Sequence, residues 1–501
     1  MASSDDDEDL KRAIALSLQN PNVGCAGGTA HEAISLDSDS EPEDKPTRLA
    51  HNVTERELSP VSRAGQGLLG LDRKQMERER LARKRKAPSI SPPPPRRKAA
   101  SDPPVALSPA KEMNTARTPA VTAYEAHSGI NGNGPVFLAG STKKTWAFGH
   151  ERKGDDIKLE EVLQKDDLNL AVLSSFQWDI DWLLAKINTK TTQITLVMQA
   201  KDQATQQQYR HETAAMSNLR LCFPSMEGQI SCMHSKLMLL SHPNHLRVAV
   251  PTANLVSYDW GETGVMENMV FLIDIPRLPS GQRTTADSMT FFGTELIYYL
   301  EAMGLEHTIV DSIYNFDFTA TKDLAFVHNI GGAHAGESAR RTGYCGLGRA
   351  VKELGLATEQ SLHIDFVTSS VGSLNDDFLT MLYLAAQGDD GLTEYNWRNP
   401  PVASRKQKTL QEKSQAKDGL RERLRSQLRQ CFQVYYPTHD TVKDSTAGSA
   451  GTIWFQSKWY NSPTFPRAIL RDCKSVRPGM LMHNKVRSRD PNAFVFTSRL
   501  G

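Results

Sequence analysis

The 501-residue chain has little that commits it to a metal centre, a disulfide framework or a membrane. Its six cysteines (Cys25, Cys222, Cys232, Cys345, Cys431 and Cys473) are scattered and include no Cys-x-x-Cys pair. That spread argues against a zinc site and against disulfide stapling, and it fits a reducing compartment. No uninterrupted apolar run is long enough to cross a bilayer. The N-terminus is acidic and carries no apolar leader, so no secretory signal is expected. Net charge is also nearly absent, at +1. Attraction for nucleic acid must then come from local patches, because the local field and not the sum of charges steers a ligand. Hydrophobic residues make up 39% of the chain, which is enough for a sizeable core, and the length allows two to four domains.

Residues 1–135 are rich in Ser, Pro, Asp, Lys and Arg and poor in aromatics. Such a segment buries too little apolar surface to offset its ordering entropy, so it is predicted to be disordered. Three short motifs stand out in it. Asp5, Asp6, Asp7, Glu8 and Asp9 precede Leu10, Ala13, Ile14 and Ser17. Acids suit a helix start, and the four following positions share one helical face. The pattern looks like a ubiquitin-interacting motif, in which small Ala13 lets an apolar patch approach Leu10 and Ser17. A solvated acidic leader is the plainer alternative. Ile34 and Leu36, followed by Asp37, Asp39, Glu41 and Glu43, could add a strand to a basic sheet edge as SUMO-interacting motifs do, although plain acidic linker is the preferred reading. Arg83, Lys84, Arg85 and Lys86, then Arg96, Arg97 and Lys98, resemble a bipartite nuclear localisation signal. A basic tail that attracts nucleic acid is the alternative. Nuclear localisation is expected.

Folded character begins near Val136. Short apolar runs such as 194–198, 247–250 and 269–273 read as strands, and 294–303 and 410–431 read as helices. Strands interleaved with helices indicate an α/β fold. The charged stretch 399–418 suggests an inserted surface region.

An internal repeat carries the chemistry. Met233, His234, Ser235 and Lys236 recur as Met482, His483, Asn484 and Lys485, and Asn254 follows Lys236 by eighteen residues. Strand alternation is expected to project His234 and Lys236 together, and a loop after the next strand could bring Asn254 beside them. A lone His-x-Lys is usually a surface histidine beside a solvated lysine. Two copies, one per half, suggest phosphoryl transfer. A phosphodiester is anionic, so Lys and Asn donors on its oxygens relieve repulsion of a nucleophile and stabilise developing charge. A neutral imidazole can attack near pH 7, and a second one opposite can protonate the departing oxygen and then activate water. No cofactor or metal is expected.

These residues resemble the phospholipase D superfamily in its His-Lys-Asn form. Asn254, where most of that superfamily has Asp, is similar to the tyrosyl-DNA phosphodiesterase family, as are residues 233–240, 254–260 and 369–374 and the region around Tyr435 and Pro437. The acidic leader and the run 266–274 resemble fungal members. The resemblance spans roughly 136–498. It implies two similar phospholipase D-type lobes, 136–318 and 319–501, each a mixed β-sheet flanked by helices. It implies that His234 is the nucleophile, that His483 is the general acid and base, and that Lys236, Lys485 and Asn254 hold the phosphate. Ser369, Ser370 and Ser373 would contact the DNA backbone, where the residues alone suggest a strand-ending turn with local hydrogen bonds. The implied substrates are 3′-phosphotyrosyl (topoisomerase I–DNA) and related 3′ adducts, on single- or double-stranded DNA. A topoisomerase I-derived peptide is part of the substrate, and ubiquitin is a further partner. A monomer without membrane association is implied.

Two departures from the family pattern carry expectations. The family often has an aromatic four residues before the first histidine, where it can stack on a base; here that position is Ile230. After Phe494, Val495, Phe496, Thr497 and Ser498 the chain ends at Gly501, where the family continues into Ser-Ala-Asn-Leu. A truncated gene model or splice form of an active enzyme is expected. The alternatives are a catalytically impaired adaptor that binds DNA ends and ubiquitin, and another phosphodiesterase of the phospholipase D type.

Overall fold

The computed structural model describes residues 136–200, 202–226, 233–369, 374–398, 410–448, 455, 457–484, 486–489 and 493–496, all within one unit of the chain, Gly67–Gly501. The segment expected to be disordered lies outside these residues, and with it Leu10, Ala13, Ser17, the Ile34 motif and the basic clusters.

The first half of the chain supplies β1 (Ser141–Thr145), β2 (Asp156–Ile157), β3 (Leu170–Ser174), β4 (Gln193–Val197), β5 (Leu219–Cys222), β6 (Leu237–Ser241), β7 (His245–Pro251), β8 (Met266–Glu267) and β9 (Met269–Pro276). The second supplies β10 (Ile364–Val367), β11 (Phe432–Tyr435), β12 (Leu470–Arg471), β13 (Leu481–Met482), β14 (Val486–Arg489) and β15 (Ala493–Phe496). An eight-stranded sheet runs β2-β1-β9-β7-β6-β3-β4-β5, and a five-stranded sheet runs β12-β11-β10-β14-β15. Both are mixed. β3, β4 and β5 are parallel, β6 lies antiparallel to β3, and β10 is parallel to β11 but antiparallel to β14. A third ladder, β8 with β13, joins one short strand from each half in parallel.

The large sheet is buried on both faces, which is why its strands read as continuous apolar runs rather than alternating ones. Period-two geometry still sorts their side chains. Ala171 and Leu173 of β3 and Met238 and Leu240 of β6 pack with Leu159, Leu163 and Trp260 on one face. Val172, Leu237 and Leu239 face the other way, onto Phe292, Leu296 and Leu300 of the helix Phe291–Ala302. The small sheet packs Ile364, Phe432 and Val434 against Leu379 and Leu382 of the helix Asp376–Gln387 and Leu428 of the helix Leu410–Cys431. Residues 410–431 form the expected helix, Leu410–Cys431, because its Gln, Glu, Lys and Ala residues are good helix formers despite their polarity; of the expected inserted region, 399–409 lie outside the described residues.

One charged pair sits inside the large sheet. Arg247 on β7 donates from Nε to Asp274 Oδ1 (2.7 Å) and from Nη2 to Oδ2 (2.9 Å), with both residues fully buried. Its remaining nitrogen donates to the carbonyls of Glu161 (3.1 Å) and Val162 (3.0 Å), and Phe137 N donates to Asp274 Oδ2 (2.8 Å). A buried pair survives only when its lone pairs and protons are satisfied this fully. Truncation of one partner strands the other: Asp274→Ala is expected to cost about 3–5 kcal/mol, read as a lower urea midpoint. An unchanged midpoint contradicts this account of the pair.

Candidate active site

The first motif lies at the mouth of the large sheet. Residues 233–236 are not part of a strand, which corrects the expectation that strand alternation projects His234 and Lys236. The β3–β6 ladder begins only at Ser174 and Leu237, so the motif is its lead-in. Side chains fix it instead: Met233 N donates to Gln199 Oε1 (2.9 Å) and Leu237 N to Ser174 Oγ (2.9 Å). The two motif side chains still meet. Lys236 Nζ lies 3.0 Å from His234 Nδ1 and 3.2 Å from the His234 carbonyl. Lys236 is 2% exposed. An ammonium has no lone pair, so Nδ1 is the acceptor in this contact.

An aromatic does touch the first histidine, though not from the position the family pattern suggests. Phe176 lies against the His234 ring with centroids 4.6 Å apart, tilted by 32°. Ile230 is outside the described residues. Phe176 sits in the turn after β3, where nothing in its local sequence marks it as part of a site. The next residue, Gln177, carries the site onward, since its N–H donates to Asn254 Oδ1 (3.3 Å).

Asn254 follows β7, as the motif spacing suggests. Asp259 Oδ2 accepts from Asn254 N (2.6 Å) and Nδ2 (2.9 Å), and Nδ2 also lies 3.3 Å from Gln177 Oε1. Asn254 and Asp259 are both buried. Tyr258 donates its hydroxyl to the same Gln177 oxygen (2.9 Å). Burial first, and the Asp259 charge second, push the Tyr258 phenol well above its ordinary range, so it stays a donor. Trp260 Nε1 donates to the Asn254 carbonyl (3.0 Å). Gly261 closes this turn with φ of +76°, and a Cβ there would stand 1.6 Å from the Trp146 carbonyl oxygen. Phe148 N donates to the Gly261 carbonyl (2.9 Å), so the turn carrying Asp259 is pinned to the strand-end residues that follow β1.

The second motif arrives from β13. Leu481 N donates to the Val265 carbonyl (3.0 Å) and His483 N to the Glu267 carbonyl (2.8 Å). These bonds place His483 Nδ1 3.6 Å from Asp259 Oδ2, an ion-pair distance longer than a hydrogen bond. One carboxylate thus holds the asparagine of the first half and faces the histidine of the second. Contacts run without a break from His234 through Phe176 and Gln177 to Asn254, and from there through Asp259 to His483. Nδ1 of His483 is turned to the carboxylate, which leaves its Nε2 on the opposite edge of the ring.

The serine turn is only partly described. Ser369 is fully buried and its hydroxyl meets no partner among the described residues. The register Val367↔Val486 brings that end of β10 level with the second motif. Lys485, Ser370 and Ser373 lie outside the described residues. Among the described residues no group of three or more His, Cys, Asp or Glu is placed to hold a metal ion, and no helix is long and apolar enough to cross a membrane.

The fold and the paired motifs define an α/β protein of the phospholipase D type. Residues 141–497 match the tyrosyl-DNA phosphodiesterase family, and residues 5–21 match the ubiquitin interaction motif. The chain belongs to the tyrosyl-DNA phosphodiesterase family. It is similar to tyrosyl-DNA phosphodiesterase 1 of Arabidopsis thaliana, with 24% identity over 231 residues, 44% of this chain and 38% of that protein. The match therefore spans well under half of that relative's length. A solved structure of yeast tyrosyl-DNA phosphodiesterase aligns with a TM-score of 0.49 at 17% identity, covering 70% of this chain and 79% of that one. A mutant of the same yeast protein aligns with a TM-score of 0.48 at 18% identity, covering 70% and 80%.

Gly261 gives a direct test of how the site is held. Gly261→Ala sets a side chain at positive φ and against a backbone carbonyl, and is expected to cost about 3 kcal/mol or more. Urea unfolding followed by the fluorescence of buried Trp260 reads this, and a midpoint equal to wild type contradicts it.

Proposed function

We propose that this chain is a DNA-repair phosphodiesterase that hydrolyses 3′-phosphotyrosyl and related 3′ adducts of DNA through a phosphohistidine intermediate. The topoisomerase I–DNA linkage is the substrate in view. The observation that carries the reading is the Asp259 carboxylate, bound to Asn254 and facing His483. One carboxylate in contact with Asn254 and close to His483 supports the two motifs serving a single phosphate.

The attacking nitrogen of His234 needs a free lone pair. With Lys236 donating to Nδ1, a neutral ring carries its proton on Nε2. A bound phosphate draws Lys236 to its oxygens, Nδ1 can then take the proton, and Nε2 is left with the lone pair. Asn254 makes a matching exchange. Both of its N–H groups are engaged, and the 3.3 Å contact to Gln177 is the weaker. A phosphate oxygen replaces it while Asp259 keeps the other. Lys485 completes the set of donors. Nε2 of His234 then forms a bond to phosphorus as the bond to the tyrosine oxygen breaks, and His483 Nε2–H protonates that oxygen. Asp259 favours a proton on His483 Nδ1 and stabilises the imidazolium. The neutral His483 next takes a proton from water, whose oxygen displaces His234 and leaves a 3′-phosphate.

The serine turn supports the DNA backbone through Ser370 and Ser373, with Ser369 contributing through its backbone because its hydroxyl is buried. The lobes 136–318 and 319–501 act as one monomer. Leu10, Ala13 and Ser17 bind ubiquitin, and the basic clusters at 83–98 direct the chain to the nucleus. The family match supports the DNA substrate, and the ubiquitin-motif match at residues 5–21 supports the ubiquitin contact.

Covalent trapping tests the chemistry. A 3′-phosphotyrosyl oligonucleotide quenched in denaturant is expected to give a protein–DNA band that His234→Ala abolishes and His483→Ala accumulates. No band from any form, or cleavage of phosphatidylcholine instead of the oligonucleotide, contradicts the reading. EDTA is expected to leave the rate unchanged, since imidazole and ammonium groups supply nucleophile, acid and charge; strict dependence on a divalent ion counts against it.

A further inference from the structure

Backbone bonds from Leu481 and His483 tie β13 and the histidine to the β8 segment, and a two-residue parallel ladder is weak alone. Side chains reinforce it across the halves: Asn484 Oδ1 lies 3.5 Å from Thr252 Oγ1, Ser475 donates to Glu267, and Arg477, whose side chain is only 10% exposed, reaches several first-half groups. Its Nη1 donates to the Thr145 carbonyl (2.7 Å) and lies 3.2 Å from Glu267 Oε2, and its Nη2 lies 3.4 Å from Asp156 Oδ2. Thr145 ends β1, Asp156 opens β2 and Glu267 ends β8, so one guanidinium from the second half grips three strands of the first. Arg152 Nε occupies the other Asp156 oxygen (2.7 Å) and fixes that carboxylate in turn.

Glu267 links this grip to the histidine. Its carboxylate meets Arg477 and accepts from Ser475 Oγ (3.3 Å), while its carbonyl accepts from His483 N (2.8 Å). The chain from Arg477 to β13 is a tight turn, with Met480 N donating to the Arg477 carbonyl (3.2 Å) and Gly479 at φ of +80°. A shift at Arg477 therefore reaches His483 by two routes, through the turn and through Glu267. The three acceptors need a planar, forked cation, which Lys cannot mimic.

We propose that Arg477 is a positioning residue for the second chemical step, setting His483 Nε2 where it meets the attacking water. This rests on the phosphohistidine reading above. In that step water gives a proton to His483 Nε2 as its oxygen bonds to phosphorus. The phosphorus–nitrogen bond breaks, and its electron pair returns to His234. Misplacing a general base by about 1 Å can slow such a step about 100-fold.

A 3′-phospho-4-nitrophenyl oligonucleotide separates the steps, because 4-nitrophenolate leaves without a proton and the first step then needs no acid. With full-length Arg477→Lys, a full burst of nitrophenolate is expected, one per protein molecule. Turnover should then be slowed about 100-fold, with the covalent adduct accumulating. Glu267→Gln keeps the carbonyl that bonds His483 N but removes the charge that holds Arg477, and it is expected to give the same signature. If burst amplitude and turnover fall together in both variants, Arg477 serves only the fold and the proposal is overturned. Wild-type kinetics in both variants overturn it as well. Absence of an adduct from wild type and from His483→Ala alike removes the phosphohistidine reading itself, a different result from any of these.

Discussion

A single buried carboxylate sets the geometry on which both halves of this protein depend. Asp259 accepts two hydrogen bonds from Asn254 and stands 3.6 Å from His483 Nδ1. A carboxylate buried this deeply is costly unless donors satisfy it, so its partners are also its means of staying charged. Asn254 is fixed because Asp259 needs donors, and the β8–β13 ladder brings the His483 ring to the same carboxylate. A polar cluster of this kind, to which Trp260 and Asn268 donate and whose His483 N–H bonds the Glu267 carbonyl, is worth more when complete than its pairs suggest, and costs more when broken.

The scaffold explains how two distant stretches of sequence come to share that carboxylate. The eight-stranded sheet fixes β6 and β7, and these deliver His234 and Asn254 from adjacent strand ends. Second-half residues reach the same spot through the β8–β13 ladder. Backbone freedom is spent in one place: Gly261 turns the chain tightly against Trp146, where no side chain fits. The apolar core meets the site at Trp260, which packs in the core and donates to the Asn254 carbonyl. It holds the strand ends rigid, which a constellation of this kind needs if its groups are to act together.

Much of this could be read from the sequence. The strand runs 194–198 and 269–273 and the helix 410–431 were visible because a sheet buried on both faces writes continuous apolar runs and a long helix of good formers declares itself. The repeated His-x-Lys pair was visible because it occurs twice. Gln177, Phe176 and Arg477 carried no comparable signal: each is a common residue type in an unremarked turn and joins the site only through contacts to residues distant in sequence. Asp259 lies inside the singled-out stretch 254–260, but nothing in the sequence marked it as the group that holds Asn254 and faces His483. The lead-in at 233–236 was misassigned to a strand because the apolar run after it conceals where the partner strand stops.

The central claim is that both imidazoles address one phosphorus from opposite sides. A crystal structure of the protein with orthovanadate, which adopts the trigonal-bipyramidal shape of phosphorus in transfer, tests this most directly. The account predicts vanadium bonded to His234 Nε2, with Lys236 and Asn254 on its equatorial oxygens and His483 Nε2 beside the apical oxygen opposite. Vanadate bound elsewhere, or His483 out of reach of an oxyanion held by His234, would contradict it.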